Sequence, residues 1–174
     1  DQWFVKVTPL AERAIKAIKD GEIAFHPASK AKEITAYFSQ LRDWNISRQQ
    51  VWGIPIPAFQ NTSDPDDWIF DTRVDEPEIK VGGKTYRREE DTFDTWFSSG
   101  QWPYITLDTE NLLDTNYPSD VLVSGYDLLI KWDLTMLLFG LYKTGKVPFK
   151  NLYLTGLVKG TDGQKMSKSK RNFV

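Results

Sequence analysis

The sequence predicts an α/β fold, and three stretches carry that expectation. "DVLVSG" (120–125) is a brief apolar, β-branched run bounded by turn residues, "YDLLIKWDLTMLLFGLYKTG" (126–145) is apolar over the length of a helix, and "NLYLTGLV" (151–158) is a second short apolar run. Strand, helix, strand is the repeating unit of a parallel sheet, in which ligands gather beyond the carboxyl ends of the strands. Those ends fall at Gly125 and just after Val158, so the loop that follows at Lys165 is expected on the ligand side.

The remaining elements follow from local chemistry. "TPLAERAIKAIKDG" (8–21) places Thr8 as an N-cap and Pro9 at the first helical position, carries Leu10, Ala14, Ile15 and Ile18 at helical spacing, and stops at Gly21. A second helix is expected from Lys30 to Leu41, with Ile34, Tyr37, Phe38 and Leu41 on one stripe. In "RDWNISRQQVWGIPIPAF" (42–59), Pro55 and Pro57 straddle Ile56, which excludes a helix or a central strand and leaves an extended or turning passage. Residues 61–92 are polar and acidic, with turn chemistry at "SDPDD" and "VGG"; "EIKVGGKTYRRE" (78–89) reads as a hairpin about Gly82 and Gly83.

Composition narrows the function classes. The 174 residues are 40% apolar and 14% aromatic, enough for a folded domain with a core. Cysteine is absent, which excludes a disulfide framework and thiolate zinc, and His26 is the single histidine. There is no apolar run of about 18 residues and no N-terminal signal, so a cytoplasmic chain without a membrane partner is expected. The net charge of −2 conceals an asymmetry: residues 61–94 hold eleven acidic and five basic side chains, whereas residues 141–174 hold eight basic and one acidic. A basic end of this kind is a solvated tail or a site for phosphate.

The basic end contains "GQKMSKSKRNFV" (163–174), with Lys165, Lys168, Lys170 and Arg171 around Ser167 and Ser169. The turn Ser124-Gly125-Tyr126-Asp127 offers close backbone approach at the glycine and a carboxylate for vicinal hydroxyls, though the same residues suit a glycine turn with Asp127 capping a helix. Read together, the strings are specific. "KMSKS" at Lys165–Ser169 matches the signature of class I aminoacyl-tRNA synthetases, and "DWNISRQQVWGIPIP", "DTFDTWFSSGQWP", "VLVSGYDLLIKW" and "TGLVKGTDGQKMSKSK" resemble, in this order, blocks of the valyl member of the subclass that also holds the isoleucyl and leucyl enzymes. "SGYDLL" and "DTWFSSG" favour valine over isoleucine, and "DQWFVKVTPLAE" looks like the point where the chain returns from an editing insert.

The resemblance implies the second half of a Rossmann-type nucleotide-binding fold with a small α+β insert. It divides the chain into 1–60, a helical segment returning from an editing domain; 61–92, a small β-rich insert; and 93–174, the Rossmann half ending in the lysine-serine loop. It implies an excerpt of a larger monomeric enzyme, inactive by itself, that joins valine to tRNA(Val) using ATP with magnesium and no zinc. Lys165 and Lys168 become the catalytic cations. Gly125, Asp127, Lys165, Met166, Ser167, Lys168 and Ser169 bind ATP, and Trp96, Leu128 and Trp132 line the amino-acid pocket. Arg48 and Trp52 are expected to buttress the insert against the catalytic fold, and His26, in "AFHPAS" without a histidine partner, to be a loop residue. Arg171 stands where the family commonly has glycine, so the loop's exit is expected to avoid a glycine-only conformation. The competing readings are a fragment of the isoleucyl enzyme and a non-catalytic RNA-binding module, with basic tail on backbone and aromatics on bases.

Overall fold

The computed structural model describes residues 2–173. In chain order its first elements are β1 (Phe4–Val5), α1 (Thr8–Lys19), β2 (Ala24–His26), α2 (Lys30–Phe38), β3 (Trp44–Asn45), β4 (Ser47–Arg48), β5 (Ala58–Asn61), β6 (Asp64–Phe70), β7 (Glu78–Val81), β8 (Lys84–Arg88) and β9 (Thr92–Phe93). There follow α3 (Thr95–Ser99), α4 (Trp102–Thr109), α5 (Leu113–Asn116), β10 (Ser119–Gly125), a single π turn (Leu129–Asp133), α6 (Leu134–Thr144) and β11 (Phe149–Thr155). Two compact units result: residues up to Val5 with Asp43–Ser98, and Lys6–Arg42 with the chain from Ser99 onward. The expected boundaries at 60/61 and 92/93 are therefore not those of the units. β1 pairs with β3, which draws the N-terminal residues into the first unit, and β2 joins the sheet of the second.

The second unit is a mixed α/β body built on a parallel sheet in the order β10-β11-β2. β10 and β11 run in register from Ser119↔Phe149 to Gly125↔Thr155, so the expected strand, helix, strand unit is present. β11 ends at Thr155, not at Val158, because β10 turns away at Gly125; the Tyr126 N–H donating to the Thr155 carbonyl at 3.0 Å is the last rung. β2 adds a third strand that sequence reading had as a loop. His26 closes it, with Nε2 3.2 Å from Asn151 Oδ1 and its ring stacked 4.0 Å from that of Tyr153.

The crossover helix α6 is buried on every side from Leu134 to Leu141, as its uniform hydrophobicity requires. Its Gly140 is a point of close approach: a Cβ there would lie 2.5 Å from the Tyr117 hydroxyl and 3.1 Å from Pro148 Cδ. Gly145 stops the helix at φ +79°, where glycine escapes the steric penalty of other residues. α1 packs on α6 and α2, and of the expected stripe only Ala14 is fully buried. Ala11, Ala14 and Ala17 are the buried residues, since small side chains let the helices approach, and Leu10, Ile15 and Ile18 lie half-buried on the flanks. Thr8 is already helical, and the capping position falls to Val7. α2 ends at Phe38, short of Leu41, with Ile34 and Phe38 buried.

The first unit is centred on a four-stranded antiparallel sheet, β6-β5-β8-β7. The β7–β8 hairpin turns at Gly82 and Gly83 with φ +58° and +79°, matching the right-handed twist of its strands. Its apolar cluster is small, namely Phe59, Ile79 and Tyr86 with Ile69 against them. Polar anchors supplement it. Asp67 accepts hydrogen bonds from Lys84 Nζ at 2.7 Å, Asn61 Nδ2 at 2.8 Å and the Tyr86 hydroxyl at 3.0 Å. Buried Asp94 accepts from the Trp44 indole at 3.2 Å, from the Trp96 backbone N–H at 3.0 Å and from Arg48. Arg48 is thus a fastener within its own unit, and Trp52, in the bend that follows, is 92% exposed.

The Asp67 anchor gives a pH signature. Hydrogen bonding from Lys84, Asn61 and Tyr86 lowers the Asp67 pKa to about 2. A carboxylate depressed on folding contributes stability that is complete above the ordinary value near 4 and is lost as pH falls toward 2. Asp71, held at about 2 beside Arg73, titrates in the same window. Acid unfolding followed by tryptophan fluorescence should therefore show a steeper loss between pH 4 and 2 in the parent than in Asp67→Asn; equal slopes would remove Asp67 from this role.

Candidate functional site

The site grows from the carboxyl end of the parallel sheet. β10 ends in Gly125, where a Cβ would fall 2.8 Å from Asp127 Oδ1, so the carboxyl folds back over the bare Cα. The Leu128 N–H donates to the Gly125 carbonyl at 2.9 Å, closing the turn before the π segment begins. Across from this turn comes the chain that leaves β11. Lys165 Nζ donates to Asp127 Oδ2 at 2.7 Å, and this ammonium is the main cause that holds the Asp127 carboxyl below its usual pKa. Two residues expected to bind ATP from separate segments are thus in direct contact, both partly open to solvent.

The lysine-serine loop has a polar frame. Lys159 and Lys165 form an isolated bridge, and the Gly160 N–H donates to the Gln164 carbonyl at 2.9 Å. Asn172 Nδ2 donates to both oxygens of Asp162 at 3.1 and 3.0 Å, while Asn172 Oδ1 accepts the Ser167 N–H at 2.9 Å. Gly160 is buried against this clasp, and a Cβ would meet the Asn172 carbonyl oxygen at 2.1 Å. Arg171 corrects an expectation: its φ is +50°, so the exit does enter the left-handed region, with a side chain where glycine is easier. That conformation costs a non-glycine residue roughly 1–2 kcal/mol.

Of the expected nucleotide residues, Gly125, Asp127 and Lys165 meet. Met166 and Ser167 are half-buried in the loop, Ser167 Oγ and Ser169 Oγ lie 3.1 Å apart, and Lys168 is exposed, with no ion pair among the described residues. Leu128 and Trp132 are half-buried one turn apart, joined by the Trp132 N–H on the Leu128 carbonyl at 2.8 Å, and the Trp132 indole donates to the Ser99 carbonyl at 3.3 Å. Trp96 belongs to the other unit. Sequence reading missed Gly160 and Asp162, whose only signal is the turn chemistry of "KGTDG", and gave Asn172, the asparagine after Arg171, no structural role. Among the described residues no group of three or more histidine, aspartate or glutamate side chains is placed to hold a metal, and no helix is long and apolar enough to cross a membrane. The arrangement supplies a bare glycine edge, a carboxylate acceptor and several exposed cations, which suits a ribose joined to phosphates.

Comparisons point the same way. Residues 1–174 match the family described as tRNA synthetases class I (I, L, M and V). Valine--tRNA ligases of Sphingopyxis alaskensis and Legionella pneumophila are 42% and 40% identical to the chain over its whole length, and that of Borreliella burgdorferi is 40% identical over 99% of it. The chain spans about a fifth of the length of these curated relatives, 19%, 19% and 20% respectively. Among solved structures, a leucyl enzyme of Agrobacterium radiobacter K84, in a ternary complex with tRNA, superposes with a TM-score of 0.62 at 23% identity, over 83% of this chain and 25% of its own. Mycobacterium tuberculosis methionyl-tRNA synthetase bound by methionyl-adenylate gives 0.60 at 18% identity, over 99% and 29%. At these identities the likeness is one of fold.

The clasp around Gly160 makes a prediction about the loop. Gly160→Ala must push Asn172 away, releasing the Ser167 N–H. Amide exchange at Ser167 should accelerate at least tenfold while the melting temperature stays within about 2 °C of the parent, because the core lies elsewhere. Unchanged exchange at Ser167 would mean that the loop does not depend on this contact.

Proposed function

The chain belongs to the class I tRNA synthetases of the I, L, M and V group, and from that premise we propose that it forms part of the catalytic domain of a valine–tRNA ligase, as the second half of a Rossmann-type nucleotide fold with its insert. The observation that carries the reading is the Lys165–Asp127 contact, which joins the lysine-serine loop to the glycine turn. Relatives that share 40–42% identity along the entire chain are named for valine, which favours this amino acid over its isoleucyl neighbour.

In this reading the substrate is ATP with its magnesium. The ribose hydroxyls donate to the Asp127 carboxylate, the bare Gly125 admits the nucleoside, and Lys165, exchanged from Asp127, turns to the phosphates. The valine carboxylate attacks the α-phosphorus: the new oxygen–phosphorus bond forms as the bond to the bridging oxygen breaks, and pyrophosphate leaves with the electron pair. The terminal ribose hydroxyl of tRNA(Val) then attacks the valyl carbonyl and AMP departs. Such a reaction asks the protein for positioning and charge neutralisation. Lys168 meets the charge that develops on the departing pyrophosphate, assisted by the hydroxyls of Ser167 and Ser169. Trp132 and Leu128 bound the valine side chain.

Two measurements in the ligase carrying this segment test the assignment. Lys168→Ala should lower valine-dependent exchange of pyrophosphate into ATP by about two to three orders of magnitude, the range for loss of one preorganised electrostatic group, with the KM for valine unchanged. A collapse of valine binding at a preserved maximal rate would place Lys168 elsewhere. Trp132→Ala should admit isoleucine, since it relaxes a size limit, while threonine activation stays within roughly tenfold of the parent. Continued exclusion of isoleucine would make Trp132 a packing residue. Binding of RNA by the chain with no binding of ATP would favour the RNA-module reading instead.

A further inference from the structure

Asp133 ends the π turn, and it is the most deeply buried ionisable side chain among the described residues, at 0% exposure. Neither of its carboxyl oxygens has a hydrogen bond of ordinary geometry. An anion so placed, without a cation or a full set of donors, is strongly disfavoured, whereas a neutral acid is tolerated. Both β10 and α6 pack against the π turn. From β10 the polar group at hand is the Ser124 hydroxyl, itself buried and otherwise in contact only with the Gly125 carbonyl at 3.5 Å, the limit of a hydrogen bond. From α6, the Thr135 hydroxyl is already given to the Lys131 carbonyl. Of the charged groups on these elements, Asp120 is paired with Lys150, and Lys131 and Lys143 are exposed; none of them bears on Asp133.

We propose that Asp133 is a positioning residue for the Gly125–Asp127 turn: as a neutral carboxylic acid it engages the Ser124 hydroxyl and pins the far end of the π segment to the end of β10. The segment from Ser124 to Asp133 then becomes a closed loop whose two ends are tied together beneath the turn. Burial pushes the Asp133 pKa up to about 6, opposed only by the Ser124 hydroxyl. A carboxyl raised on folding contributes stability that is complete below its ordinary value near 4 and declines as pH climbs through 6; the closed loop loses stability over that span, because the buried charge costs more than the Ser124 hydroxyl returns, and then levels off. That the turn serves a nucleotide rests on the proposed function; that Asp133 fixes the turn does not.

Ligand-free amide exchange separates the two. The Tyr126 and Leu128 N–H groups are hydrogen-bonded to Thr155 and Gly125, and they report on the turn. Corrected for intrinsic rates, their protection should fall about tenfold or more between pH 4.5 and pH 7 in the parent, as two pH units of linkage allow. It should be independent of pH in Asp133→Asn, and already low at pH 4.5 in Ser124→Ala. The same fall in Asp133→Asn as in the parent, or full protection at pH 4.5 in Asp133→Leu, would overturn the proposal. Titration with Mg–ATP at pH 5 and pH 7.5 then reads the functional half: affinity should follow the protection of the turn in parent and variants. Failure of the parent to bind ATP, with the exchange pattern as expected, would uphold the positioning role and overturn the nucleotide reading.

Discussion

The parallel pairing of β10 with β11 is the constraint on which the second unit depends. Parallel neighbours cannot be joined by a tight turn, so the chain must travel the length of the sheet and back, and it does so through the π turn and α6. The return helix has no solvent face, which is why residues 134–141 carry no charge. The same topology decides where chemistry can occur. The chain leaves β10 at Gly125 and leaves β11 at Thr155, and those residues are partners in the ladder. Glycine turn and lysine-serine loop therefore emerge side by side, and the Lys165–Asp127 contact follows from the direction of the strands.

The two units are held by different means. Around α6 the second unit has a continuous apolar interior of leucine, methionine and phenylalanine side chains. The sheet of the first unit buries Phe59, Ile79 and Tyr86 and little else, too few to order four strands by hydrophobic burial alone. Its carboxylates take up the task. Asp67 gathers three donors from two other strands, and Asp94 ties Trp44, Arg48 and its own helix start together. The acidic composition of residues 61–94, which reads in sequence as mere solvation, supplies these anchors along with the surface charge.

Apolar runs bounded by turn residues made the strand, helix, strand unit legible, and the glycine pair made the β7–β8 hairpin so. Periodicity failed for β2, whose three residues before Pro27 are too few for a period, and for α4 and α5, where "QWPYITLDTENLLDTN" mixes apolar and polar residues without a stripe. Apolar spacing also gave α1 the wrong face. Leucine and isoleucine draw attention, yet helices in close contact select alanine, and Ala11, Ala14 and Ala17 are the residues of α1 that are fully buried. At the site, glycine and charge in a known signature marked Gly125, Asp127 and Lys165. The frame that holds the loop was hidden, because isolated polar residues such as Asp162 and Asn172 have no pattern until their distances are known. Asp133 was hidden for the opposite reason, as one polar letter inside an apolar run.

Magnitudes explain how the site can be ordered and still yield. An ion pair open to solvent, such as Lys165 with Asp127, is weak, since water screens the attraction and two side chains must be held still. That is enough to favour one position of the loop and too little to lock it. A triphosphate offers Lys165 several negative charges in place of one, and ribose hydroxyls offer Asp127 donors in return, so on the proposed function both partners gain by separating. The frame must not yield with them. It is built from the Asn172 amide, the Asp162 carboxylate and the Ser167 backbone N–H, whose bonds involve neither Lys165 nor Lys168, and Lys168 is exposed beside it. A weak latch mounted on a firm clasp lets the cations move while the loop keeps its shape, and that separation of duties is what a loop that delivers charge to a departing group requires.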